Sequence, residues 1–221
     1  MKKIYLSPSM QPNNIYASGN VSEETVCREI AEETKKALER CGFEVILPGV
    51  SGSLSARCAE ANKWGADLYI PIHTNAFNGS VSGTRMFCHS FKGDGYKACQ
   101  AIFKRLAPLT PGDSENIKER PTLYEVKNPI APTVYIEVDF HDVPSVAQWL
   151  IEHTTDVGEA ICAGVCDYFG TGYKTSETPS EPTSDTLYRV QVGAFRNKGN
   201  ADKLLQKLKT LGFSDAFIVK R

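Results

Sequence analysis

The sequence predicts an α/β fold, a mostly parallel sheet flanked by helices on both faces, with a small C-terminal βαβ unit. Three observations carry this. Short apolar strand segments alternate with helical segments along residues 1–170, the pattern of strands joined by crossover helices. One late segment, Thr133–Phe140, is a nearly continuous apolar run, as a strand buried on both faces requires. A polar stretch at 171–186, rich in Ser, Thr and Pro, lacks the apolar surface needed to offset its ordering entropy and reads as a linker. It divides the chain into a body, 1–170, and a tail, 187–221.

In order along the body, Ile4–Ser7 is a short apolar strand. A helix is expected from Ser22 to Cys41, where Cys27, Ile30, Ala31, Thr34, Leu38 and Cys41 recur at helical spacing. Ser22 can cap it, Glu23 and Glu24 suit its positive end, and Gly42 stops it. Phe43–Leu47 is the next strand and Leu54–Trp64 an amphipathic helix. Asp67–Ile72 and Thr84–Cys88 read as strands, Tyr96–Leu106 as a helix, and Leu123–Val126 and Thr133–Phe140 as strands. A long helical stretch from Pro144 to Phe169 carries a break near His153–Thr154. In the tail, Leu187–Val192 and Ala216–Val219 read as strands around a helix at Asn200–Leu211.

At 221 residues the chain can build one domain with a sizeable core and a small appendage. A net charge of −1 gives no basic footprint for nucleic acid, and no apolar run approaches the length needed to span a bilayer. Met1–Pro8 reads as the first strand rather than as an export leader. The seven cysteines are odd in number and scattered through apolar-periodic stretches, so buried reduced thiols and synthesis in a reducing cytoplasm are expected. Cys162 and Cys166 share a helix face, which without partners does not make a metal site.

Open α/β sheets place their sites at the carboxyl ends of the strands. Three segments deliver polar residues there. Asp67–Ile72 ends in Pro71-Ile72-His73-Thr74-Asn75-Ala76, Thr133–Phe140 ends in Glu137-Val138-Asp139-Phe140-His141-Asp142, and Glu23 opens the first long helix. Glutamate and histidine converging on one edge make a borderline donor set suited to Zn2+, with a position left for water.

These segments resemble the zinc-dependent N-acetylmuramoyl-L-alanine amidases of the amidase-3 type, over residues 3–169. Pro71–Ala76 is similar to the family's Ser-Ile-His-x-Asn-Ala. Ser82-Gly83-Thr84-Arg85-Met86-Phe87 is similar to its small-residue step into the next strand, and Leu123–Val126 with Ala131–Glu137 to its last two strands. The resemblance implies that Glu23 and His73 are zinc ligands and that Glu137 is the general base in cleavage of the amide between muramic acid and L-alanine. Asn75 either orients substrate or caps its loop.

One element departs: the family's first histidine ligand falls at Met10, and a thioether is a poor zinc ligand. Of the four histidines His141 is the best substitute, lying four residues past Glu137; His89 and His153 are placed less well. The rival readings are a non-catalytic peptidoglycan-binding protein and a zinc peptidase acting within the stem peptide.

The tail resembles half of a SPOR domain, the module that binds peptidoglycan glycan strands, through Tyr188–Phe195 and Asn200–Leu205. A lone unit of this kind is marginal, so homodimerisation through an unpaired strand edge is expected. The combined expectation is a phage or prophage endolysin, made in the cytoplasm without a signal peptide and acting on the wall after release. Its partner is bacterial peptidoglycan, with no nucleic acid and no membrane insertion.

Overall fold

The computed structural model describes residues 1–49, 52–113, 116–176, 192–195, 197–213 and 216–218. They fall into two compact units, Met1–Ser176 and Glu177–Arg221.

The first unit runs β1 (Lys3–Pro8), α1 (Glu23–Arg40), β2 (Glu44–Ile46), α2 (Leu54–Trp64), β3 (Leu68–Asn75), β4 (Arg85–Cys88), α3 (Asp94–Leu106), β5 (Asn116–Glu119), α4 (Tyr124–Lys127), β6 (Tyr135–Phe140), α5 (Pro144–Glu152) and α6 (Thr154–Phe169). The six strands form one sheet in the order β2-β1-β3-β6-β4-β5. Every pairing is parallel except β4 with β6. The sheet is therefore mixed, as a mostly parallel fold permits.

Local chemistry explains the elements. Ser22 caps α1 by accepting a hydrogen bond from the Thr25 amide at 3.3 Å, with Glu23 and Glu24 in the first turn, an arrangement worth about 1 kcal/mol. Ser53 caps α2 in the same way, and Gly65 ends it in the left-handed conformation at φ 72°. The helical stretch after β6 does break at His153, which ends α5 and begins α6. Ile4, Leu6, Leu68, Ile70, Ile72, Ile136 and Val138 pack in one core with Ile30 and Leu38 of α1, Ile102 of α3 and Ile161 of α6.

Two expectations are corrected. Leu123–Val126 is not a strand: a helical turn, α4, starts at Tyr124 and buries Glu125 and Val126. The strand beside β4 is instead Asn116–Glu119, an edge strand whose polar composition hid it. Residues 171–176 also lie against the body. The Tyr173 hydroxyl donates to Glu159, and the Lys174 carbonyl accepts from Arg40 Nε at 2.9 Å.

In the second unit Asn197 caps α7 (Lys198–Thr210), accepting from the Gly199 amide at 2.8 Å. The expected strand at Leu187–Val192 lies outside the described residues apart from Val192. Ala216–Ile218 carry no regular structure, and Val219 lies outside. The self-association expected through this strand edge therefore concerns undescribed residues. No described helix is long and apolar enough to cross a membrane.

Candidate active site

The site is assembled by sheet register. His73 on β3 pairs with Glu137 on β6, and Glu137 pairs with Arg85 on β4. Cross-strand partners point to the same face, so His73 and Glu137 rise side by side. The β3–β6 register then shifts between His73 and Asn75, an irregularity that re-aims the strand end. From above, α1 brings in Glu23, whose Oε1 lies 2.9 Å from His73 Nδ1. Asn14 donates to its other oxygen at 2.9 Å. The Tyr135 ring stacks on His73 with centroids 4.7 Å apart.

Glu125 completes the surroundings of His73. It is 2 % exposed and accepts from the Ser7 hydroxyl at 2.6 Å and the Tyr69 hydroxyl at 2.7 Å. Its second oxygen stands 3.7 Å from His73 Nε2. That is an ionic approach rather than a hydrogen bond, and Nε2 has no hydrogen-bond partner. Arg57, nearly buried, locks the end of β1 by donating to the Pro8 carbonyl at 2.5 Å and to Ser7 Oγ at 3.3 Å. Sequence reasoning missed Glu125 because it lay inside a presumed strand. The one available signal was an isolated carboxylate among Leu123, Tyr124 and Val126.

Charge balance defines the chemistry. Burial acts to raise Glu23 and Glu125, but the adjacent His73 imidazole, with hydrogen bonds from Asn14 to Glu23 and from Ser7 and Tyr69 to Glu125, holds both below the usual carboxylate range. Burial acts to lower His73, yet the flanking Glu125, Glu23 and Glu137 outweigh it and raise the imidazole to about 9. Glu137 behaves differently. Burial lifts it to about 7, with the charges of His73 and Arg85 opposing the rise and that of Glu23 adding to it. Part of the residue reaches solvent, but its Oε2 is enclosed and has no partner. Three carboxylates surround one imidazole, with Arg85 as a further cation acting on Glu137, and His73 Nε2 and Glu137 Oε2 are enclosed without hydrogen-bond partners. That arrangement fits a cation.

The other expected residues sit close by with different partners. His141 Nδ1 is 2.9 Å from Thr74 Oγ1, which also bonds Tyr16, and the His141 ring stacks on Tyr16 at 4.8 Å. Burial lowers its pKa, so it is neutral at pH 7. Among the described residues, no third His, Cys, Asp or Glu joins Glu23 and His73 with all donor atoms within 4.8 Å. His141 is therefore near the pair but not gathered with it. Asn75 Oδ1 accepts from the Ala76 amide at 2.9 Å, serving its own loop. Met10, His73, Tyr124, Glu125 and Tyr135 line a cleft of about 380 Å³.

The Amidase_3 family, N-acetylmuramoyl-L-alanine amidase, matches residues 9–167. This chain belongs to that family. As an Amidase_3 member it is an amidase acting on peptidoglycan, and the SPOR domain family matches residues 170–220 behind it. The sporulation-specific N-acetylmuramoyl-L-alanine amidase of Bacillus subtilis (strain 168) is 26% identical, the match covering 100% of this chain and 86% of that protein. Among solved structures, the catalytic domain of the amidase CwlV from Bacillus (Paenibacillus) polymyxa var. colistinus has a TM-score of 0.71 at 18% identity, covering 78% of this chain and 100% of that one. The catalytic domain of the CD27L endolysin targeting Clostridia difficile has a TM-score of 0.60 at 21% identity, covering 76% and 98%. These two likenesses concern the Amidase_3 fold.

Proposed function

We propose that the chain is a zinc-dependent hydrolase in which Glu23 and His73 hold the ion and Glu137 is the general base. The bond cut is the amide between the lactyl carbonyl of N-acetylmuramic acid and the nitrogen of L-alanine. The observation that carries this reading is the enclosed, unpartnered Glu137 oxygen beside the Glu23–His73 pair. A buried acid left unpaired is costly, and a non-catalytic wall binder has no use for it.

An ion held there by Glu23 and His73 would supply Lewis-acid activation of a water molecule and of the scissile carbonyl. The chain's own residues do the rest. Glu137, lifted to about 7, is matched to accept a proton from water near neutral pH and to return it to the leaving amine. The C–N bond breaks; the carbonyl carbon keeps the hydroxyl as a carboxyl group, and the stem peptide leaves with a free amino terminus. Glu125, fixed by Ser7 and Tyr69, holds a carboxylate oxygen 3.7 Å from His73 Nε2, a charge partner on the side of the ring away from Glu23. Tyr124, 44% exposed at the cleft, offers a face for a sugar ring. We assign His141 to supporting the end of β3 through Thr74, rather than to coordination.

The paired test is zinc content after exhaustive dialysis. His73→Ala holds one equivalent of zinc fewer than the native chain, and His141→Ala holds the native amount. Full zinc in His73→Ala removes the assignment, and loss in His141→Ala restores His141 as a ligand.

For the occasion of cutting we propose an endolysin, in keeping with the fold shared with one endolysin catalytic domain. The sporulation-specific relative, matched along the full chain, favours a second occasion, sporulation. Transcript levels after prophage induction and during sporulation separate the two.

A further inference from the structure

Three of the seven cysteines meet at the far end of the body. Cys41 is the C-cap of α1. Cys162 and Cys166 lie four apart on α6 and so share a face. Their sulfur atoms all lie within 4.8 Å of one another, with Cys41 and Cys162 at 3.6 Å. Cys162 and Cys166 are fully buried and Cys41 is 9% exposed. At 1.5 Å of rise per residue, Cys41 stands ~27 Å down α1 from Glu23, so this cluster takes no part in amide cleavage.

We propose that Cys41, Cys162 and Cys166 form a three-thiolate site for a thiophilic d10 cation of the Zn2+ and Cd2+ class. Buried thiols are common as small hydrophobes, but three on two different helices converging on one point are not explained by packing periodicity. Metal–sulfur bonds of ~2.3 Å in a tetrahedral site hold the sulfurs ~3.8 Å apart, close to the 3.6 Å found. Thiolates select soft and borderline ions over Mg2+ or Ca2+.

Burial raises the Cys162 and Cys166 thiols, so their protons leave as the ion binds rather than before it. The Lys174 amide donates to Cys41 Sγ at 3.3 Å, the kind of outer hydrogen bond that steadies a metal-bound sulfur. A cleft of about 460 Å³ lined by Met1, Lys2, Cys41, Gly42, Phe43 and Thr171 opens at Cys41. Of the three cysteines it touches Cys41, where a fourth, non-protein ligand would enter. The ion ties α1 to α6 and, through the Lys174 amide on Cys41, to the segment that follows α6, so its effect is on stability.

The test uses the full chain, reduced and stripped with chelator, then titrated with Cd2+. Sulfur-to-cadmium charge-transfer absorption reports thiolate ligands alone, so an ion at Glu23 and His73 is silent in it. The expected result is a band that saturates at one Cd2+ per chain, with a higher melting midpoint. The band is lost in Cys162→Ala/Cys166→Ala and in Cys41→Ser, a variant at the rim of the core that keeps the fold testable. It persists in Cys58→Ala, a buried thiol on α2. No band in the folded native chain, or an undiminished band in folded Cys41→Ser, overturns the proposal.

Discussion

Glu137 is asked to do opposite things by its surroundings. Its enclosure favours the neutral acid, while catalysis needs the base, and a value of about 7 leaves both forms populated at neutral pH. Glu137→Gln keeps the shape and removes the base. It should retain bound zinc while kcat falls by ~10²–10⁴; turnover within a few-fold of the native chain would remove Glu137 from the mechanism.

The same variant has a signature in the metal-free chain. Glu137 is raised from an ordinary 4.5 to about 7, so between those values the folded chain holds a proton that the unfolded chain has released. Its contribution is neutral below that window and turns destabilising as pH rises through it, by about 3 kcal/mol at most. Denaturant unfolding of both proteins across this range should show Glu137→Gln gaining on the native chain as pH rises. His73 loses stability higher up. Its raised value, from 6.5 to about 9, gives support that is full below 6.5 and gone above about 9.

Glu23, His73 and Glu137 could be singled out in the sequence because each is a polar residue at a helix start or within an otherwise apolar strand, and the fold brings the three together. Glu125 could not be singled out, because its role depends on Ser7 and Tyr69, residues distant in sequence that only the sheet brings together.

At the scale of elements, the body depends on α6 lying close to both α1 and α3. Gly158 and Gly164 make this possible. A methyl group on Gly164 would sit 2.4 Å from the Ile102 Cα on α3, and one on Gly158 would sit 2.8 Å from the Thr34 nitrogen on α1. These are backbone contacts that no rotamer change relieves. Gly164→Ala should therefore cost roughly 1–3 kcal/mol, despite the better helix propensity of alanine. An unchanged melting midpoint in thermal denaturation would contradict this packing.

Most helices could be read in advance from caps and periodicity: Ser22 and the apolar face of α1, and the break at His153. The β4–β5 edge could not. Asn116–Glu119 has no apolar face to reveal a strand, and its pairing is set by the neighbouring Arg85–Cys88 strand. The turn at Tyr124–Lys127 has the composition of a strand, but at four residues it is too short for periodicity to decide. Tertiary burial of Glu125 and Val126 decided it.

For the whole molecule, the division of labour follows the two units. Met1–Ser176 has its own core, and Tyr173 and Lys174 belong to it by contact, so truncation should fall after Ser176 rather than at 170. A chain lacking 177–221 should cleave soluble wall fragments at the native rate and be retained less by insoluble peptidoglycan in a pull-down. Equal retention would remove the tail from wall attachment.

Mass spectrometry of purified peptidoglycan after digestion reads directly which bond is cut. Digestion should yield stem peptides carrying a free L-alanine amino terminus, with glycan strands whose muramic acid lactyl groups end in free carboxylates, and neither product with Glu137→Gln. Fragments cut within the stem peptide, or between sugars, would contradict this reading.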